Sequence, residues 1–276
     1  MQAPTTDQAF AGSIPQVYDA CMVPLLFAPY ADDLAQRVAQ RVAQRQPSRL
    51  LEIAAGTGAV TRRLASTLLP SVQIVATDLS QPMLDQAAAI GTARPVEWQQ
   101  ADAMQLPFPD GAFDMVVCQF GVMFLPDKAA AFAEVRRVLG PGGVFLFNVW
   151  DRIEHNEFAA TVSDALAALY PGDPPQFMQQ VPHGYFDTEA IRQDLHRGGF
   201  DRAPEIVTVD ACSHADSPAL AALAFCQGTP MRMQIEARDA AGLTGATNVA
   251  ARALASRFGA DAIDGKMRAY VVAVER

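Results

Sequence analysis

The sequence predicts an α/β protein built on one sheet of mainly parallel strands, and three observations predict it. Residues 49–149 alternate short β-branched apolar runs with helical patterns, the arrangement of consecutive βαβ units. The first run leads into Gly56-Thr57-Gly58, a tight turn from strand to helix. The 276 residues are 50% hydrophobic and 18% charged, enough apolar mass for a full core and far from a disordered composition.

The elements follow in order. Residues 49–54 read as a buried strand, and the glycine turn opens a helix running to about Leu69. Residues 72–77 form a second strand, and Pro82 takes the first position of the next helix, where its missing N–H has no intrahelical partner to lose. Residues 96–101 are a third, weaker strand, followed by the loop Leu106-Pro107-Phe108-Pro109-Asp110-Gly111. Residues 113–118 are a fourth strand, 127–139 a helix closed by Gly140-Pro141-Gly142-Gly143, and 144–149 a fifth strand. Beyond Trp150 the pattern loosens. Residues 156–169 are helical, and the prolines at 171, 174, 175 and 182 mark a loop or lid support. A helix at 188–195 ends at Gly198-Gly199, and 206–209 is a sixth strand. Apolar-faced helices near 217–226 and 248–258 precede a terminal strand at 267–274. With little regular pattern in 151–185 and 211–265, the chain is expected to be a single domain over 1–276. Its parts are an N-terminal helical lid (1–48), a ligand-binding core (49–150) and a C-terminal half (151–276) holding a cap and the last strands.

Charge narrows the partners. A net charge of -9 opposes a polyphosphate ligand, so nucleic acid is not expected. Arg37, Arg41, Arg45 and Arg49 recur every four residues, a solvated helix face rather than a binding patch. No apolar run approaches the ~18 residues of a membrane span. The first basic residue is Arg37, so no basic signal region is seen and a cytoplasmic location is expected. Cys21, Cys118, Cys212 and Cys226 lie far apart with no metal-ligand spacing, which predicts reduced thiols and no structural metal.

The chemistry concentrates at the strand ends. Leu51-Glu52-Ile53-Ala54-Ala55-Gly56-Thr57-Gly58 puts small residues where a strand meets a helix N-terminus, so a ligand can approach the backbone N–H groups. Asp78, 20 positions after Gly58, sits at the tip of the second strand, where a carboxylate can accept both hydroxyls of a ribose. Asp102 follows the third strand and could take the exocyclic amine of adenine. Two ligands compete. A nicotinamide dinucleotide requires G-x-G-x-x-G, but Thr61 stands at the last position, and Glu52 would repel a pyrophosphate. S-adenosylmethionine has an ammonium, a sulfonium, an adenosine and no phosphate. Turn geometry alone for the glycines, and helix capping by Asp78, remain open alternatives.

Three stretches, 51–65, 76–84 and 100–147, carry a resemblance. Ala101-Asp102-Ala103-Met104-Gln105-Leu106-Pro107-Phe108-Pro109-Asp110 with Phe113-Asp114, and Leu139-Gly140-Pro141-Gly142-Gly143 before a strand, resemble the class I S-adenosylmethionine-dependent methyltransferases. Within these the chain is similar to the branch holding the ubiquinone and menaquinone C-methyltransferases. Ala54 departs from the glycine that often opens the family's loop. The resemblance implies a Rossmann-like, seven-stranded, mostly parallel sheet with an antiparallel last strand, helices on both faces and a helical cap. It implies a cofactor site made of Tyr18, Glu52, Ala54, Gly56, Gly58, Asp78, Leu79, Met83, Asp102, Ala103 and Gln119. The fourth strand ends in Cys118-Gln119-Phe120-Gly121, unlike the [N/D]-P-P-[Y/F] of amino-group methylators of nucleobases and glutamine. A small organic methyl acceptor, methylated at oxygen or carbon, is therefore expected. Residues 151–265 do not resemble the quinone enzymes closely, so their acceptor is not implied.

Methyl transfer from a sulfonium is chiefly a matter of alignment and water exclusion, and a base is needed only for an acidic, protonated nucleophile. Among His155, His183, His196 and His214, the candidate base is His183, held between Pro182 and Gly184, with an expected pKa near 6–7. Met22, Phe27, Phe120, Met123 and Phe124 are candidate acceptor-pocket residues. A non-catalytic S-adenosylmethionine-binding protein and a nicotinamide-dependent oxidoreductase are the rival readings. The oligomeric state, monomer or homodimer, stays open.

Overall fold

The computed structural model describes residues 12–45 and 48–276. Residues 1–11 of the expected N-terminal lid lie outside the described residues, as does the side chain of Arg45. The chain opens with α1 (Ile14–Val17), a π-helical stretch (Tyr18–Phe27) and α2 (Ala28–Arg45). The core half follows as β1 (Arg49–Glu52), α3 (Ala59–Thr67), β2 (Gln73–Asp78), α4 (Gln81–Ile90), β3 (Glu97–Gln100), β4 (Phe113–Gln119), α5 (Lys128–Val138) and β5 (Leu139–Trp150). The rest comprises α6 (Glu157–Leu169), α7 (Phe177–Gln180), α8 (Thr188–Arg197), β6 (Glu205–Ala215), α9 (Pro218–Gln227), α10 (Met231–Arg238), α11 (Leu243–Phe258) and β7 (Ile263–Glu275).

Seven strands form one sheet in the order β3-β2-β1-β4-β5-β7-β6. The strands β1 to β5 pair in parallel, and β7 runs antiparallel to both β5 and β6. This is the Rossmann-like seven-stranded sheet expected from the sequence. Strand residues alternate between two apolar layers. Leu51, Val116, Cys118 and Phe147 face one, and Leu50, Met115, Val117 and Leu146 face the other. Both faces are covered, which is why the strands read as continuous apolar runs. On the second face α2 presents Ala31, Leu34, Ala35, Val38 and Val42, an i, i+3, i+4 stripe. Arg37 and Arg41 lie off that stripe and pair with Asp33 and Glu205, as a solvated face would.

Two expectations need correction. The Gly140–Gly143 turn is looped out of β5 itself, because Phe113 pairs with Leu139 and Met115 next with Val144. Residues 211–265 carry more regular structure than expected: β6 and β7 are longer than expected and pair from Glu205 with Ala273 to Ala215 with Ile263. Helix α10 fills the gap between the two expected helices. The sequence signal was weak because β6 is a half-exposed edge strand with no apolar run.

Candidate active site

The strand order reverses between β1 and β4, and a crevice at that switch point is where doubly wound sheets take ligands. Here the crevice is a cavity of about 370 Å³. Its floor comes from the chain just beyond the strands: Ala54 and Gly56 after β1, Asp78 and Leu79 at β2, Asp102 and Ala103 after β3, and Gln119 and Phe120 at β4. Met83 of α4 joins them. The π-helical stretch roofs the cavity with Tyr18, Met22, Leu26 and Phe27, and Phe177, Met178 and His183 contribute from the proline-rich segment. The π-helix is rare, and its usual form, a single-turn bulge within an α-helix, is frequent at functional sites.

Backbone strain collects at this wall. Among the described residues, the non-glycine positions with positive φ are Ala54 (52°) and Phe120 (50°), and both line the cavity. Such conformations cost of order 1–3 kcal/mol each. Gly121 shows what holds them: a Cβ there would lie 2.5 Å from Ala54 Cβ and 2.7 Å from Cys118 Sγ.

The two aspartates are pre-set by the backbone. One carboxylate oxygen of Asp78 accepts from Gly56 N at 2.7 Å and the other from Ser80 N at 2.8 Å, which locks the end of β2 to the glycine loop. Asp102 accepts from Met104 N at 2.8 Å. The loop that follows is tied to α5 by Arg137, which donates to the carbonyls of Leu106 (2.9 Å) and Phe108 (2.7 Å) and pairs with Asp110 and Glu134. That latch is the physical role of the Leu-Pro-Phe-Pro-Asp stretch.

Glu52 and Gly58 lie behind the cavity wall rather than on it. Glu52 is 1% exposed, accepts from Thr61 Oγ1 at 2.6 Å, and burial pushes its pKa up to about 8. Burial thus favours the protonated, uncharged carboxyl, and Glu52 stands behind the lining rather than beside the ligand, so it is not placed to repel a pyrophosphate. Gly58 has φ 81°, and a Cβ there would lie 2.8 Å from Trp98 Cη2, so it serves the turn and its packing.

His183 differs from expectation in its basicity. It is 4% exposed on the cavity wall, and Nδ1 donates to the carbonyl of Asp151 at 2.8 Å. A carbonyl only accepts, so Nδ1 carries the proton and Nε2 keeps its lone pair. Burial lowers the pKa to about 4 rather than leaving it near 6–7. Asp151 is itself held through its carboxylate by Arg152 N (2.7 Å), His155 Nδ1 (2.6 Å) and Tyr270 Oη (3.0 Å). His155 lies in a short 3₁₀ turn, His196 in the last turn of α8, and His214 on β6 against Asp264.

Met22, Phe27, Phe120 and Phe124 line the cavity, whereas Met123 packs into the core. Sequence reasoning missed Trp150, Phe158, Phe177, Ser213, Phe225 and Met267, all on the wall. It also missed Asp19, which takes Thr57 Oγ1 (2.7 Å) and Arg62 Nη2 (2.9 Å) and so clamps the π-helical roof to the glycine loop. Among the described residues, no helix is long and apolar enough to cross a membrane.

The family described as "Methyltransferase domain" matches residues 51–147. The chain is 35% identical over 176 residues to a malonyl-[acyl-carrier protein] O-methyltransferase of Geobacter sulfurreducens, covering 63% of each chain. It is 42% identical over 169 residues to the ubiquinone/menaquinone biosynthesis C-methyltransferase UbiE of Ectopseudomonas mendocina, covering 56% of this chain and 66% of that one. The matches thus span just under two thirds of these relatives. The crystal structure of the YcgJ protein of Bacillus subtilis superposes with a TM-score of 0.55 at 17% identity, covering 88% of this chain and 98% of that one, a likeness of fold.

Proposed function

We propose, from the premise that residues 51–147 belong to the methyltransferase-domain family, that this chain moves a methyl group from S-adenosylmethionine to a small organic acceptor. Oxygen or carbon is the favoured methylated atom. The observation that carries the reading is Asp78: its carboxylate is oriented by Gly56 N and Ser80 N on the wall that also holds Asp102.

The lining suits this donor. Ser80 Oγ and Gln119 Oε1 are buried polar atoms without a hydrogen-bond partner, and both residues line the cavity. The carboxylates of Asp78 and Asp102 suit hydroxyls, an amine and positive charge. Lys266 is the one lysine or arginine among the described lining residues, a poor match for a pyrophosphate. When bound, S-adenosylmethionine would supply a methyl group on a cationic sulfur.

In this reading Asp78 accepts the ribose hydroxyls and Asp102 the adenine amine. Leu79, Met83 and Ala103 supply apolar surface beside the base. Ala54 and Gly56 let the backbone come close, and Tyr18 and Gln119 meet the amino-acid end. Glu52 and Gly58 support the loop from behind. His183, with Nδ1 committed to Asp151, offers the Nε2 lone pair to the acceptor as a hydrogen-bond partner, while the aromatic wall excludes water.

Asp78→Ala tests the reading. Each charge-assisted hydrogen bond to a hydroxyl is worth about 1.5–3 kcal/mol, so calorimetry should show S-adenosylhomocysteine affinity falling at least tenfold with the fold intact. Unchanged affinity, or an equal thermal shift from NAD, would reject it.

A further inference from the structure

We infer that Asn148, buried in β5 and set back from the cavity lining, is a positioning residue for the donor site. It holds Phe120 in the left-handed conformation on which the glycine loop and the roof both rest. The inference deepens the methyl-transfer reading above and rests on it.

The residue type is the first sign. Residues 144–150 run Val-Phe-Leu-Phe-Asn-Val-Trp, and all seven are buried. Asn148, 0% exposed, is the one polar side chain among them. Asparagine is disfavoured inside a strand, and burial strips its amide of water unless protein groups replace the lost hydrogen bonds. Here the replacement is partial, because Nδ2 has no partner. Leucine would fill a similar space without that cost, so stability is no reason for an asparagine.

What Asn148 reaches is the backbone of Phe120. Its Oδ1 accepts from Phe120 N at 2.9 Å, and its own carbonyl accepts the same N–H at 3.2 Å. Phe120 is the first residue past β4, and its φ is 50°. A residue with a Cβ adopts that conformation only where its surroundings impose it. Any residue at 148 would bring the carbonyl, but the second acceptor needs this side chain.

Phe120 then carries two sides of the cavity. Its ring stacks on Trp150 with centres 3.8 Å apart, meets Phe27 of the roof at 5.7 Å, and meets Tyr30 of α2 edge-on at 5.2 Å. Its backbone leads into Gly121, which packs directly against Ala54, the other strained residue, two positions before Gly56. A Phe120 relaxed to an ordinary φ would carry Gly121 with it and press on the loop. Gln119 would follow. It is the partner of Asn148 across the strands, it lines the cavity with its Oε1 unpartnered, and its Nε2 donates to Phe27 O at 3.3 Å. Asn148 thus acts on the donor site through Gln119, Phe120 and Gly121 without touching it.

The test uses the full chain, calorimetry of S-adenosylhomocysteine, and amide hydrogen exchange read by NMR. In Asn148→Leu the affinity should fall roughly fivefold or more, the loss of one hydrogen bond at the hinge of the site. The Phe120 amide should exchange roughly tenfold faster relative to Val117 and Leu146, whose amides report the strands as a whole. Asn148→Ser, too short to reach Phe120 N, replaces the leucine variant if that chain does not fold. Asn148→Asp keeps an accepting oxygen and should stay near wild type in both readouts. Unchanged affinity, a Phe120 amide that follows the other two, or an aspartate variant no better than leucine overturns the inference. If wild type fails to bind S-adenosylhomocysteine, the donor reading falls instead, while the exchange comparison, which needs no ligand, still tests the hold on Phe120.

Discussion

Replacing Glu52 with glutamine should remove a large pH dependence from the stability of the fold. Glu52 is 1% exposed, and burial is the largest cause of its raised pKa. The Thr61 hydrogen bond and Arg62 lower it, and the negative charge of Asp78 raises it further. The carboxyl moves from 4.5 to about 8 on folding, so the folded chain holds a proton that the unfolded chain releases. Stability contributed by that proton is full below about pH 4.5 and is lost as pH rises toward 8. At about 1.4 kcal/mol per pH unit, the loss reaches roughly 4–5 kcal/mol, a large share of the ~5–15 kcal/mol that holds a typical domain together. Glutamine keeps the shape and can keep the bond to Thr61 Oγ1, but it cannot ionise. Urea unfolding of both proteins at pH 5, 6, 7 and 8 gives the difference directly, because every other titrating group cancels. The variant's advantage should grow by several kcal/mol across that range. Parallel pH curves would refute the argument, for they would mean that Glu52 ionises inside the folded protein without cost.

His183 works in the opposite direction on the acid side. Its folded pKa of about 4 lies below the ordinary 6.5, so the unfolded chain binds the extra proton and stability falls as pH drops through that window, a loss that His183→Gln should abolish in the same titration. Turnover should be flat above about pH 5, and His183→Gln should lower it by about tenfold, the loss of one hydrogen bond to the acceptor; a wild-type rate that titrates near 6–7 would place a titrating base elsewhere in the site. Asp102 should make the protein prefer adenosine over inosine forms of the thioether product, and Asp102→Asn should narrow that gap in a competition assay; equal binding of both by the wild type would remove Asp102 from the adenine. Gly121→Ala should lower stability by about 1–3 kcal/mol through overpacking, since its Cβ would press on Ala54 and Cys118, and a normal melting temperature would show that the loop gives way freely.

The sequence by itself determined the order of strands and helices through 150 and the floor of the cavity. Those features are local: a strand buried on both faces is apolar throughout, a turn needing positive φ selects glycine, and a carboxylate at a strand tip sits at a fixed distance along the chain from the glycine loop. Asp78, Asp102, Gly56 and Ala54 were legible for that reason. Only the tertiary structure decided the rest. Whether Glu52 faces the ligand or the core depends on which way one strand-end side chain turns, and the partner that settles it is Thr61 in the following helix. The pKa of His183 is set by desolvation, a property of what surrounds it and not of its neighbours in sequence. The aromatic wall joins Phe27, Trp150, Phe177 and Phe225 from segments up to about 200 residues apart, and Asp19 reaches across 43 residues to Arg62. No periodicity encodes such meetings, because they are chosen by the packing of whole elements against one sheet.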